Sequence, residues 1–160
     1  MNDILKTKEF AGAVAEVSVI EELSSLPDGS LIFNDLKIEA DRYVHFEGKP
    51  LMSAQIDTLV ITTGGVFVIE VKNWSSEFAQ SGDGFNPYEQ VGRASYLTYD
   101  RLRTAGLKIR VRSIIATNGR LPPKEDQKVT VVSIPRLRNY IENSPPAQLN
   151  PSAIRSLLRL

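Results

Sequence analysis

The strongest constraint on this chain is a pair of β-branched runs, residues 55–62 and 66–72, joined through Thr63-Gly64-Gly65. Such a pattern predicts a tight antiparallel hairpin. Strand alternation puts Val66, Val68, Glu70 and Lys72 on one face, and Phe67, Ile69, Val71 and Asn73 on the other. With the chain reversing between Gly64 and Gly65, Asp57 falls across from Lys72 and Leu59 across from Glu70. The hairpin then gathers Asp57, Glu70 and Lys72 into one cluster. Two carboxylates and an ammonium are costly on strands otherwise built of Ile, Val and Phe. The plain alternative is an Asp57–Lys72 ion pair at a sheet end with Glu70 solvated, and exposed pairs of that kind contribute ~0–1 kcal/mol.

Around this hairpin the pattern alternates helix and strand. A helix is expected over 9–26, closed by Pro27-Asp28-Gly29, and a strand over 31–38. A loop at 75–85 leads to Asn86-Pro87-Tyr88-Glu89, which combines a cap, a first-turn proline and an acidic residue three positions on. That helix should run to Ala105 and stop at Gly106. Strands are expected over 111–117 and 129–134, separated by a polar turn with Pro122-Pro123, and short helices over 135–142 and 151–160. The implied fold class is α/β, a mixed sheet with helices packed against it. The 160 residues read as one domain, with a core at about 9–134 and a basic helical extension over 135–160.

Composition removes several kinds of chemistry. There are no cysteines, and His45 is the one histidine, so thiol nucleophiles, zinc knuckles and His-pair metal sites are excluded. A Ser-His-Asp triad would have to use His45, and nucleophile-elbow spacing is missing. The longest strongly apolar stretch, 58–69, is far short of the roughly 20 residues that cross a bilayer. The start, Met1-Asn2-Asp3-Ile4-Leu5-Lys6, lacks the basic-then-apolar order of a signal peptide. A cytoplasmic protein with no membrane partner is the expectation.

The Asp57, Glu70 and Lys72 cluster suits phosphodiester cleavage. Carboxylate oxygens are hard ligands for Mg²⁺ or Mn²⁺, and a nearby lysine can orient an attacking water or offset charge in the transition state. On the first helix, Glu16 shares a stripe with Val19, Ile20 and Leu23, which points to a paired or functional carboxylate. A boundary residue reaching water is the alternative. Gln90 falls in the first turn of the second helix, on a flank with Leu97 and Arg101, beside a stripe of Val91, Ala94, Thr98 and Leu102. There it can act alongside free backbone N–H groups that favour phosphate, or simply face solvent.

Taken together, several segments resemble the nuclease-related domain (NERD) family of the PD-(D/E)xK restriction-endonuclease-like superfamily. They are Glu16 in a leading helix, Leu31-Ile32-Phe33-Asn34-Asp35-Leu36, Gln55-Ile56-Asp57, the run Gly65-Val66-Phe67-Val68-Ile69-Glu70-Val71-Lys72-Asn73-Trp74, and Asn86-Pro87 with Gln90. The resemblance covers about residues 9–118. It implies a restriction-endonuclease-like fold, with a central four- to five-stranded mixed sheet flanked by helices. It further implies that Asp57 and Glu70 are metal ligands, that the Val71 carbonyl completes the site, and that Lys72 is the catalytic lysine. Glu16 and Gln90 match the family's helical Glu and later Gln. Two positions depart from the pattern: Ile56 stands where the superfamily name has Pro, and Ala15 precedes Glu16 where Gly is usual.

Charge is distributed unevenly. Residues 1–100 hold 7 basic and 16 acidic side chains, a net of −9, while 101–160 hold 12 and 3, a net of +9. Arg93, Arg101, Arg103, Lys108, Arg110 and Arg112 are the candidate nucleic-acid contacts, extended by Arg136 and Arg138. Alternating arginines on a strand also serve as a solvated edge that blocks aggregation. Trp74 and His45 read as packing or surface residues. The expected function is Mg²⁺- or Mn²⁺-dependent hydrolysis of DNA phosphodiester bonds, with RNA as the alternative substrate. The rival is a catalytically silent nucleic-acid-binding or protein-interaction module on the same fold. The expected partners are DNA and either further copies of the chain or a helicase-like or other DNA-processing protein.

Overall fold

The computed structural model describes residues 2–73, 86–118, 128–145 and 147–160. The elements are α1 (Asn2–Leu23), β1 (Leu31–Glu39), β2 (His45–Phe46), β3 (Lys49–Pro50), β4 (Ser53–Thr62), β5 (Gly65–Lys72), α2 (Pro87–Thr104), β6 (Val111–Thr117) and β7 (Val129–Ser133). A 3-10 turn (Ile134–Arg136), α3 (Leu137–Glu142) and α4 (Pro151–Leu157) complete the chain. Five strands form one mixed sheet in the order β1-β4-β5-β6-β7. Pairing is antiparallel from β1 through β5 and parallel from β5 through β7.

Helices cover both faces. Ala15, Val19 and Leu23 of α1, with Leu137 and Ile141 of α3, pack on Val60, Phe67, Ile69, Ile114 and Ala116. Val91, Ala94, Leu97 and Leu102 of α2, with Ile154 and Leu158 from the C-terminal segment, pack on Leu59, Ile61, Val66, Val68 and Ile115. Residues 135–160 therefore feed both cores. Among the described residues no helix is long and apolar enough to cross a membrane.

The hairpin forms, with a different register. Thr62 pairs with Gly65 and Leu59 with Val68, so the two-residue turn is Thr63-Gly64 and every expected partner moves by two. Two local contacts fix this. The Thr62 hydroxyl accepts from the Gly64 N–H at 3.0 Å. A Cβ on Gly65 would lie 3.1 Å from the Phe67 ring, so the glycine belongs to the strand under that ring. Because the shift is even, Val66 and Val68 keep one face of β5 and Phe67 and Ile69 the other, as alternation assigned them.

Most other boundaries follow the expected chemistry, though α1 begins at Asn2 rather than at residue 9. α1 ends at Leu23, three residues early, where the Ser24 hydroxyl turns back to donate to the Glu21 carbonyl. Asn86 caps α2 by accepting from the Tyr88 and Glu89 N–H groups at 3.1 and 3.4 Å. Gly106, at φ +95°, follows the end of α2. The loop at 75–85, Trp74 and the Pro122-Pro123 turn lie outside the described residues. The β2–β3 hairpin, turning on Glu47-Gly48 with φ of +50° and +75°, was too short to show as a strand pattern.

Candidate active site at the fork between β4 and β5

β4 and β5 pair only as far as Thr58↔Ile69. Beyond that point β4 continues on β1 as far as Ser53, while β5 continues on β6 as far as Lys72. The two middle strands thus part, and Asp57, Glu70 and Lys72 stand at the fork. In place of a strand partner, the Asp57 carboxylate accepts the Val71 N–H at 2.9 Å. An orphaned backbone donor is satisfied, and the Asp57 side chain is held between the strands.

A dislocation in β1 and β4 opens the floor of this site. Phe33 and Leu36 both pack in the α2-side core, as do Ile56 and Leu59 across from them, so strict alternation fails in both strands. Asp35 takes up the irregularity at φ +52°, a conformation that Asp tolerates better than most residues. As a result Asn34, Asp35, Asp57 and Thr58 all line one cleft of about 340 Å³, closed by Glu16 and Ile20 of α1. The Thr58 hydroxyl donates to Asn34 Oδ1 at 3.1 Å, and Gln55 Nε2 donates to Asp35 Oδ1 at 2.7 Å.

The electrostatics are those of two carboxylates competing for one place. Glu70 is only 5% exposed. Burial, and next the charge of Asp57, push its carboxyl up to about 7, against the opposing pull of Lys72. Lys72 Nζ lies 3.1 Å from Glu70 Oε1. The alternative of a solvated Glu70 beside an Asp57–Lys72 pair is not what forms: Glu70 is the buried member and carries the ion pair.

The remaining candidates divide. Glu16 is exposed, because the buried stripe of α1 is Ala15, Val19 and Leu23; Glu16 and Ile20 sit one step round the helix. The expectation of Glu16 on an apolar stripe is corrected to a rim position facing Asp57 across the cleft. Among the described residues no three His, Cys, Asp or Glu side chains are grouped to hold an ion. Gln90 sits in the first turn of α2 with its Oε1 buried and, among the described residues, without a hydrogen-bond partner. His45 is exposed, edge-on to the Tyr43 ring at 4.5 Å between centroids.

The basic residues do not form one surface. Arg101 turns inward, donating to the Glu39 carbonyl at 2.6 Å and the Leu158 carbonyl at 3.2 Å and pairing with Asp41. Arg103 and Arg42 both pair with Asp100, at 2.7 and 2.6 Å. Lys108 and Arg110 line a cleft with Ser95, Tyr96 and Tyr99 of α2. Arg112 opens on the opposite face, beside β7 and α3. Arg93 is half-buried on α2. Sequence reasoning gave no role to Asn34, Asp35 or Thr58. The signal available was Asn34-Asp35 inside a strand, two residues that strands disfavour.

A mixed five-stranded α/β sheet with an Asp…Glu-x-Lys set at the parting of two central strands is the restriction-endonuclease-like arrangement. The family model for the nuclease-related domain matches residues 11–118, and the chain belongs to that family. No curated protein matches the chain at a significant level.

Proposed function

We propose that this protein is a Mg²⁺- or Mn²⁺-dependent deoxyribonuclease acting at the β4–β5 fork. The observation that carries the reading is the Asp57–Glu70 pair, in which burial and the neighbouring charge raise Glu70 to about 7. Structural ion pairs seldom place two carboxylates against each other, whereas a divalent cation relieves the repulsion that a shared proton otherwise relieves.

The donor set fits such an ion. Asp57, Glu70 and the Val71 carbonyl offer hard oxygen ligands, the type that Mg²⁺ and Mn²⁺ select. When bound, the ion would polarise a phosphoryl oxygen and acidify an attacking water. Asp57 accepts the Val71 N–H, which fixes the peptide joining Glu70 to Val71 at the site. Lys72, 26% exposed and tethered to Glu70, is placed to orient water or offset charge gathering on the phosphate. Glu16 approaches from the α1 side of the cleft, and Gln90 supplies an unsatisfied amide oxygen that can accept from substrate or from a lysine.

The experiment is incubation of supercoiled and linear DNA with Mg²⁺, Mn²⁺ or EDTA, using wild type beside Lys72→Ala. Cleavage by wild type in either metal, none in EDTA and cleavage by Lys72→Ala slower by about 10²- to 10³-fold is the expected result. DNA binding with no metal-dependent product would instead establish the silent binding module.

A further inference from the structure

In the run Gln55-Ile56-Asp57, Ile56 enters the core and Asp57 stands at the fork, while Gln55 is exposed and reaches across to β1. The β1–β4 ladder shows what it meets there. Asn34 pairs with Thr58 and Leu36 with Ile56, so Asp35 and Asp57 fall opposite each other, yet among the described residues neither has a cross-strand partner. Like charges directly opposite on neighbouring strands stand roughly 5 Å apart and repel. Here the two carboxylates separate. Asp35 leaves the ladder at φ +52°, and its Oδ1 accepts from Gln55 Nε2 at 2.7 Å. Asp57 turns to β5, on the other side of β4, and accepts the Val71 N–H at 2.9 Å.

The Gln55–Asp35 bond is a weak staple. Both residues are exposed, and a hydrogen bond between exposed side chains adds little to stability once their lost freedom is counted. Its effect is on charge. Asp35 and Asp57 line one cleft with Glu16, and among the described residues no cation lines it to offset the three carboxylates. The Asn34–Thr58 bond, at 3.1 Å, anchors the strands beside the break, but it does not touch the Asp35 carboxylate. Gln55 is the group that holds it. Without that tether Asp35 is free to swing back opposite Asp57, and repulsion there pushes Asp57 off the Val71 N–H.

We propose that Gln55 is a positioning residue for Asp57: by holding the Asp35 carboxylate away, it keeps the Asp57 carboxylate on the Val71 N–H and in place to take up a divalent ion. The consequence for the ion rests on the fork being the metal site. The hold on Val71 stands without it. Gln55 touches neither metal nor substrate in this role, and acts only through the charge it restrains.

The test follows hydrogen exchange of the Val71 amide by NMR in EDTA, and Mn²⁺ affinity by titration calorimetry, on the full chain. Gln55→Ala should speed Val71 exchange about tenfold and leave the urea midpoint unchanged. Its Mn²⁺ affinity should fall about 10- to 100-fold, as for loss of a group that orients a metal ligand. Gln55→Ala/Asp35→Asn still lacks the tether but also lacks the repelling charge, so it should regain slow exchange and Mn²⁺ affinity. Equal Val71 exchange in wild type and Gln55→Ala would overturn the proposal. So would exchange equally fast in Gln55→Ala and the double variant, because the bond and not the charge would then position Asp57. Metal-dependent cleavage by wild type with equal Val71 exchange removes this inference alone. The expected exchange pattern in a wild type that takes up no Mn²⁺ removes the metal reading and leaves the hold of Gln55 on Asp57.

Discussion

Asp57 accepts the Val71 N–H at 2.9 Å across the point where β4 and β5 separate. One side chain therefore closes a broken ladder and orients the peptide that joins Glu70 to Val71. Losing that bond would leave a half-buried donor unsatisfied, at a cost of about 1–3 kcal/mol. Stability and site geometry are coupled at this residue.

That coupling separates two substitutions. Asp57→Asn keeps an oxygen that can accept from Val71, so it should fold while losing Mn²⁺ binding by titration calorimetry. Asp57→Ala should lose both the ion and about 1–3 kcal/mol in denaturant unfolding. Lys72→Ala should keep Mn²⁺ binding and lower cleavage about 10²- to 10³-fold, as for the loss of one preorganised charge donor.

Glu70 sets a pH dependence. Its folded value of about 7 lies above the ordinary glutamate value of 4.5, so the folded protein binds the extra proton between those limits. This group's contribution to stability is complete below about 4.5 and is lost as pH rises through about 7. Asp41 and Asp100 are lowered, Asp41 chiefly by its hydrogen bond to Arg159 and Asp100 chiefly by that to Arg42, and they act in the opposite sense at acid pH. Glu70→Gln isolates the effect. In EDTA its melting temperature should approach that of wild type near pH 4 and exceed it at pH 8 by several degrees. Saturating Mn²⁺ should reverse the order at pH 8, because only wild type retains both carboxylates.

Arg101 distinguishes an internal staple from a nucleic-acid contact. Its guanidinium joins the Glu39 and Leu158 carbonyls, drawing the C-terminal residues onto the end of β1. Arg101→Ala should destabilise the protein by about 1–3 kcal/mol in urea and leave the salt slope of DNA binding unchanged. A lower slope at unchanged stability would restore Arg101 to the nucleic-acid surface.

Asp35 carries backbone strain at φ +52° in the middle of β1. Asp35→Gly should be neutral or stabilising, and Asp35→Val should cost about 1–2 kcal/mol, since a β-branched residue fits that conformation poorly. The Val variant should also lower cleavage, because the alternation that brings Asp57 and Thr58 to one cleft depends on the same irregularity.

Much of the architecture was open to reading because it rests on local chemistry. Asn86-Pro87 starts α2, Gly106 follows its end, and the β-branched runs pair as an antiparallel hairpin. The register escaped by two residues, since a ring packed over Gly65 decides it and a sequence does not show which glycine lies under Phe67. Glu16 was placed on the wrong side of its stripe because α1 is apolar on more than one side. Ala15, Val19 and Leu23 are buried, while Val14, Val17 and Ile20 are exposed.

What the sequence determined by itself was the α/β class, the Asp…Glu-x-Lys set and its family, because these reside in residue type and short spacing. Only the tertiary structure decided that the set converges through a fork rather than a cross-strand pair, that Glu70 is its buried member, and that Arg101 and Arg112 have unrelated surroundings. The reason is physical: burial, strand parting and ion-pair choice depend on which distant segments pack together. Arg101 meets Glu39 and Asp41 about sixty residues away, and no spacing along the chain encodes that meeting.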